Sequence, residues 1–260
     1  MDRQSPRKMR EVIRRGEYKG PTPGIAGGYA QANLVILPRS LAYDFLLFCQ
    51  RNPKPCPILE VTDTGSFEAA RTAPHSDLRT DVPKYRVYQK GELTEEVFDI
   101  KNYWTDELVS FLLGCSFTFE QALIEAGISM RHIDEGRNVP MYKTNIQCES
   151  AGVFSGPMVV SMRPIKKEQV VRAIQITSRY PSVHGAPIHI DDPKGLGIEK
   201  IDCPDFGESV TVKEGEVPVF WACGVTPQLA AAASRSPFMI THSPGHMFIT
   251  DVKDNTLSIL

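Results

Sequence analysis

Four of the six histidines fall in two short stretches bounded by glycine and proline in the last third of the chain. One runs Ser178-Arg179-Tyr180-Pro181-Ser182-Val183-His184-Gly185-Ala186-Pro187-Ile188-His189-Ile190-Asp191-Asp192-Pro193, the other Thr241-His242-Ser243-Pro244-Gly245-His246. Imidazole is the side chain whose ordinary pKa lets it exchange protons near neutrality, and turned segments on a rigid scaffold are where catalytic groups concentrate. His184, His189, His242 and His246 are therefore the expected catalytic groups. Asp191 offers a His–carboxylate pair in which the acid fixes the imidazole tautomer. Two other readings use the same residues: a His/Asp metal site, which needs three or four ligands converging in space, and turns whose imidazoles simply bond backbone groups. Pro244 and Gly245 stand between His242 and His246, so these two do not share a helical face in the manner of a zinc protease.

A small anionic ligand would need a guanidinium fork, which grips a carboxylate through two parallel hydrogen bonds. Arg79 between Asp77 and Asp81, Arg163 in Ser161-Met162-Arg163-Pro164, and Arg179 are the arginines in constrained settings, with an internal ion pair as the alternative for each. Gly114-Cys115-Ser116-Phe117-Thr118 places a thiol and hydroxyls just before a helix start, where backbone N–H groups favour anions. Trp221-Ala222-Cys223-Gly224-Val225-Thr226-Pro227 has the same plan. Cys115, Ser116, Cys223 and Thr226 are expected to contact substrate, with the two loops able to hold an oxyanion.

The elements that must position these groups are partly legible. Pro6 to Arg15 with Gly16 beyond reads as a short helix with a proline start and a glycine stop. Residues 20–28 form a Gly/Pro loop leading into the apolar run 34–37, and Pro38 opens an apolar helix through Cys49. Strands are expected at 57–62, 84–88, 142–146, 158–162, 217–221, 238–241 and 247–251. Helices are expected at 106–113, 118–126, 164–177 and 227–234. No internal repeat stands out. Without a βαβ rhythm or a G-x-G-x-x-G turn after an early strand, the fold class is α+β in two interlocked lobes and not a nucleotide-binding fold. One domain is expected over 1–260, with two subdomains dividing near 150–165.

Bulk properties narrow the partners. A net charge of −2 over 260 residues gives no electrostatic reason for a nucleic-acid or membrane partner. No apolar run approaches the roughly 20 residues of a membrane span, and Met1 to Lys8 is charged where a signal peptide would be apolar, so a cytoplasmic protein is expected. The six cysteines form no C-x-x-C pair, which argues against a zinc ribbon or a Cys-rich cluster. A homodimer is the expectation on general frequency alone.

With these motifs in place the chain resembles the hydro-lyase family also called the D-glutamate cyclase family. The resemblance rests on residues 78–86, Gly114-Cys115-Ser116-Phe117, residues 137–145 (Arg137-Asn138-Val139-Pro140-Met141-Tyr142 onward), Ser178-Arg179-Tyr180-Pro181 through Pro187, residues 218–228, and Thr241 to Met247. It spans essentially the whole chain. It implies ring closure of D-glutamate to 5-oxo-D-proline and water, with no cofactor. A base such as His184 or His242 would deprotonate the ammonium, and His246 or His189 would protonate the departing oxygen. Arg79 or Arg179 would fix the α-carboxylate, and the Cys115 and Thr226 loops would stabilise the tetrahedral oxyanion. A metal-dependent hydro-lyase acting on another hydroxy acid, and a non-catalytic carboxylate-binding protein, are the competing readings.

Overall fold

The structure, a computed structural model, describes residues 5–259; the first four residues of the charged opening segment lie outside the described residues. Along the chain run α1 (Pro6–Arg14), β1 (Tyr29–Pro38), α2 (Arg39–Arg51), β2 (Ile58–Val61), β3 (Tyr85–Gln89), β4 (Glu92–Val97), β5 (Leu108–Gly114), α3 (Phe117–Glu125), α4 (Arg131–Asp134), β6 (Met141–Gln147), β7 (Pro157–Lys166), α5 (Val170–Ser178), β8 (His189–Ile190), β9 (Glu216–Ala222), α6 (Val225–Ala233), β10 (Phe238–His242) and β11 (Phe248–Lys253). The fold is α+β, and the recorded strand pairs are antiparallel. One sheet has the order β2-β5-β1-β10-β3-β4 with β11 also on β1; the other is β6-β7-β9-β8.

Each sheet is buried on both faces by the alternation of its central strands. Val35 and Leu37 of β1 face Phe45, Phe48, Phe111 and Phe154, while Ala32, Leu34 and Ile36 face Leu78, Tyr85 and Phe248. In the second sheet Val217, Val219 and Trp221 pack on Phe119, Leu123 and Ala173, and Phe220 turns to Tyr142, Leu196 and Ile198.

The two sheets are built on one plan used twice. A strand, a helix, a short edge strand, a return strand and a second helix give β1-α2-β2-β5-α3 in one unit, with β3 and β4 inserted between β2 and β5, and β7-α5-β8-β9-α6 in the other; the strand orders β2-β5-β1 and β8-β9-β7 match. The match reaches single hydrogen bonds. Thr118 N–H donates to Cys115 O at 3.1 Å, and Thr226 N–H donates to Cys223 O at 3.0 Å. The Thr118 hydroxyl accepts from Gln31 N–H at 3.3 Å, and the Thr226 hydroxyl accepts from Val159 N–H at 2.9 Å. The units are also exchanged. α3 buries Phe119 and Leu123 against strands and helix of the second unit, and α6 buries Ala230 and Ala231 in the core of the first. β6, following α3, pairs with β7; β10, following α6, pairs with β1.

Three sequence expectations change. Residues 106–113, read as a helix, form β5: this apolar run lies between β1 and β2, and a strand buried on both faces lacks the alternation that would mark it. The helix expected from Pro164 starts only at Val170, because β7 carries on through Pro164, which sits opposite Pro218. The internal repeat went unseen because equivalent positions share little beyond Cys115/Cys223 and Thr118/Thr226; Glu120 answers to Gln228 and Asn33 to Ser161.

Gly114 closes β5 where the second unit's loop crosses it. A Cβ there would lie 2.1 Å from the Ser182 carbonyl oxygen and 2.9 Å from the Val183 side chain. Backbone cannot swing aside as a side-chain tip can, so Gly114→Ala is expected to lower stability by about 1–3 kcal/mol. Urea unfolding of the pair checks this, and equal midpoints would show that the two units do not meet so closely.

Candidate active site

Between the units lies a buried charge cluster. Arg163 on β7 and Glu120 in the first turn of α3 are almost wholly inaccessible. Arg163 Nε donates to Glu120 Oε1 at 2.8 Å, and its terminal nitrogens bond Glu120, the Ser161 hydroxyl (2.9 Å) and the Ser116 hydroxyl (3.0 Å). Phe119 and Trp221 flank the guanidinium at 5.4 and 5.5 Å. His132 of α4, stacked on Phe117, brings Nε2 within 3.3 Å of Glu120 Oε2, a charge-pairing distance without hydrogen-bond alignment. Burial alone would push the Glu120 carboxyl up, but His132 and Arg163 outweigh it and hold the group down at about 2. Glu120 is an anion at any working pH.

The far side of Glu120 meets space. A small pocket of about 30 Å³ lies between α3 and the loop 24–29, lined by Gln31, Phe117, Glu120, Gln121 and Asp254 among others. Past Gln121 and Asp254 it continues into a groove of about 230 Å³ bearing Glu125, Tyr180 and Lys253. Beyond Glu125 and Tyr180 lies an open depression with Arg172 and Arg179. Asp254 is tied down by its backbone N–H, which donates to Gly28 O at 3.0 Å. Its Oδ1 is buried without a hydrogen-bond partner among the described residues. Burial, with the Glu125 charge adding to it, pushes the Asp254 carboxyl up to about 7. A carboxyl poised at neutrality can both accept and return a proton.

The residues singled out in the sequence occupy several places. His184, at a left-handed φ of 85°, is buried beside the first unit's loop, with Nδ1 2.9 Å from Lys54 O and Nε2 unpartnered among the described residues. Burial depresses it to about 4. His242 on β10 is likewise buried; its Nδ1 accepts from Leu34 N–H at 3.0 Å, Gln228 Nε2 lies 2.9 Å away, and burial depresses it to about 3. His246 lies against its own turn, 2.9 Å from Pro244 O, and burial lowers it too. His189 meets the Asp192 carbonyl at 3.1 Å in place of a carboxylate, and Asp191 is exposed. Arg79 is engaged by Asp77 through two 2.8 Å bonds and stacks on Phe67. Arg179 caps α5 and faces the outer depression.

Ser116 joins the Arg163 cluster, and Thr226 holds β7. Cys115 and Cys223 are buried thiols pushed up by desolvation, Cys223 to about 11. The structure therefore brings Ser116 and Arg163 together, and Arg179 to the groove's outer end; the four histidines lie outside the groove's lining. No three His, Cys, Asp or Glu side chains converge as a metal-ligand set among the described residues, and no helix there is long and apolar enough to cross a membrane.

Glu120, Gln31 and Asp254 escaped the sequence reading. Glu120 carried one available signal, an acid in the first turn of a helix beside the apolar Phe119 and Leu123. Gln31 and Asp254 carried none, since more than 200 positions separate them.

Comparison with known proteins bears on this arrangement. The D-glutamate cyclase family model matches residues 109–251, which include α3, β7, α6 and the Arg163–Glu120 cluster. A protein of Stutzerimonas stutzeri described as "Putative hydro-lyase" is 62% identical over 98% of this chain and 97% of its own. Similarly described relatives from Thermoanaerobacter sp. (65% identical; 97% of this chain, 96% of theirs) and Bacillus subtilis (60%; 98% and 100%) match over nearly their full lengths. A solved nitrogen repressor-like protein from Methanococcus jannaschii overlaps at a TM-score of 0.39 and 7% identity, covering 94% of this chain and 97% of that one, too loosely for a functional comparison.

Two outcomes follow from the cluster and the buried imidazoles. Glu120→Ala strands a buried guanidinium and should cost about 3–5 kcal/mol, whereas Arg79→Ala, losing a partly exposed pair, should cost at most about 1 kcal/mol; urea midpoints compare them. His184 stays neutral when folded down to about pH 4, while the unfolded imidazole takes up a proton below its ordinary value of 6.5. Acid therefore favours the unfolded chain across that window. The loss of stability between pH 6.5 and 4 should be shallower in His184→Asn, which tolerates the left-handed backbone; an unchanged slope would mean the imidazole is not held neutral.

Proposed function

The chain belongs to the D-glutamate cyclase family, and from that membership we propose that it is a cytoplasmic hydro-lyase interconverting D-glutamate and 5-oxo-D-proline. Ring closure forms a bond from the α-nitrogen to the γ-carboxyl carbon and breaks a carbon–oxygen bond. The ammonium gives up two protons, the departing oxygen gains two, and water leaves. Nothing is oxidised or reduced. What the reaction demands is a group that moves protons near neutrality, a fixed α-carboxylate, and a site able to hold the chain folded back on itself.

The observation that carries this reading is Asp254, a carboxyl poised at about 7 with a free oxygen, in a groove that ends on the buried Glu120. In this reading Asp254 takes protons from the nitrogen and delivers them to the leaving oxygen. Lys253 in the groove and Arg179 at its outer end supply the cations for the carboxylates. The groove's modest volume suits a ligand well below drug size.

Proton NMR of chelator-treated protein tests the reaction with D- and L-glutamate, 5-oxo-D-proline and related hydroxy acids, with and without divalent metal. Metal-free interconversion of D-glutamate and 5-oxo-D-proline is expected, with kcat/KM rising as pH climbs through about 7 while Asp254 of the free protein ionises. Asp254→Asn should lower kcat by about 10²–10⁴. Turnover of a different acid only, or only with metal, would replace the reaction; full activity in Asp254→Asn would remove the proton carrier.

A further inference from the structure

The small cavity at the inner end of the groove differs in character from the groove itself. Its lining contains no lysine or arginine among the described residues, and its acceptor oxygens include those of Gln31, Glu120 and Asp254. Gln31 is only 4% exposed. Its Nε2 donates to Thr22 O at 2.9 Å and Ile25 O at 3.1 Å, so the amide cannot be turned round without setting oxygen against oxygen. Oε1 is thereby fixed as an acceptor, and it has no partner among the described residues. Asp254 Oδ1 is buried and unpartnered in the same cavity. Two buried, orphaned acceptors lining one small cavity are costly unless a donor comes to them.

Local backbone geometry puts them there. At the corner of β1 and β11, Tyr29 pairs with Lys253, the residue before Asp254, and Gln31 follows two positions on, opposite Ile249 after a two-residue slip on β11; irregular pairings of this kind occur next to functional sites. The equivalent position in the second unit is Val159, which has no polar group to aim.

We infer that this cavity is a seat for a primary ammonium group, held by Gln31 Oε1, Asp254 and Glu120, and that the site accordingly selects α-amino acids over hydroxy acids. The assignment of D-glutamate as the molecule carrying that ammonium rests on the function proposed above; the seat itself does not. An ammonium has three N–H donors to match three acceptors, whereas a hydroxyl has one and leaves two acceptors empty. Size agrees: about 30 Å³ admits two or three water-sized groups, at roughly 10–15 Å³ each in this measure, enough for an ammonium and the carbon bearing it. Charge agrees as well. Arg163 already matches Glu120, so the charge to balance an incoming cation is that of Asp254. Without a cation, burial and Glu125 favour the protonated acid; an ammonium arriving beside it would favour the anion.

The test is a titration of ¹⁵N-labelled full-length protein at pH 8 with methylammonium chloride, followed by amide shifts, with tetramethylammonium and potassium chloride at equal ionic strength as controls. Saturable shifts are expected at Gly27, Gly28, Gln121 and the Gln31 side-chain amide, with methylammonium only. Affinity should fall about tenfold or more in both Asp254→Asn and Gln31→Met, each losing a hydrogen bond to a charged group; Asp254→Asn, a near-isosteric change, guards against a folding defect in the other. D-glutamate should displace methylammonium and 2-hydroxyglutarate should not. Absent or non-saturating shifts, an equal response to potassium, or unchanged affinity in both variants would overturn the seat. A seat that binds methylammonium in a protein that never turns over D-glutamate would keep this inference and remove the cyclase reading.

Discussion

Arg163 is a full charge in the seam between two interlocked units, and its burial is tolerable only because the other unit supplies Glu120 and Ser116 while its own strand supplies Ser161. Removing two charges from water costs several kcal/mol each, recovered only with good geometry and every donor satisfied. That condition is met after β7, α3 and the turn between β5 and α3 have all come together, so neither unit can complete its core without the other. The exchange of α3 and α6 between cores makes the same demand through apolar contacts. The ion pair adds direction to it, because a guanidinium fork accepts one alignment of its carboxylate where packed phenylalanines accept several.

The duplication explains why there is one such cluster among the described residues. In the first unit the position corresponding to Arg163 is Val35, packed among Phe45 and Phe111, and the position corresponding to Glu120 in the second unit is Gln228, set against the imidazole of His242. One seam is thus neutral and closed, the other charged and adjacent to open space. The depressed histidines belong to the same architecture. His184 links one unit's post-helix loop to the matching loop of the other through Lys54 O, and His242 receives the backbone N–H of Leu34. A buried neutral imidazole that bonds backbone across a seam at a left-handed turn fixes loop position, whatever further part it has in chemistry.

Much of the frame could be read before folding. Pro6, Pro38, Gly16 and Gly127 mark ends of elements with local, physical force, and the two Cys-bearing turns before helices stand where the sequence puts them. β5 could not be read: Val109 to Leu113 is apolar on both faces, and its partners β1 and β2 are supplied from elsewhere in the chain. The repeat could not be read either, because equivalence lies in hydrogen bonds such as Thr118–Gln31 and Thr226–Val159 and not in residue identity. Of the candidate site, the sequence shows Ser116, Arg163 and Arg179 as groups of interest. The histidine clusters drew attention because their spacing is conspicuous, whereas Gln31 and Asp254 are ordinary residues in their local settings.

What makes those two unusual is a strand pairing. β11 lies antiparallel to β1 and ends at Lys253, one residue before Asp254; β1 begins at Tyr29, two residues before Gln31. Antiparallel pairing brings the end of one strand beside the start of the other, and Asp254 N–H closes the corner on Gly28 O. The register slips by two residues between Tyr29 and Gln31, which stands opposite Ile249, so the extra residues lie on β11 and the alternation of β1 is kept. The acceptor set at the cavity is thus a product of one strand corner laid against one charged seam. Both features break the likeness of the two units, and they do so at the same place.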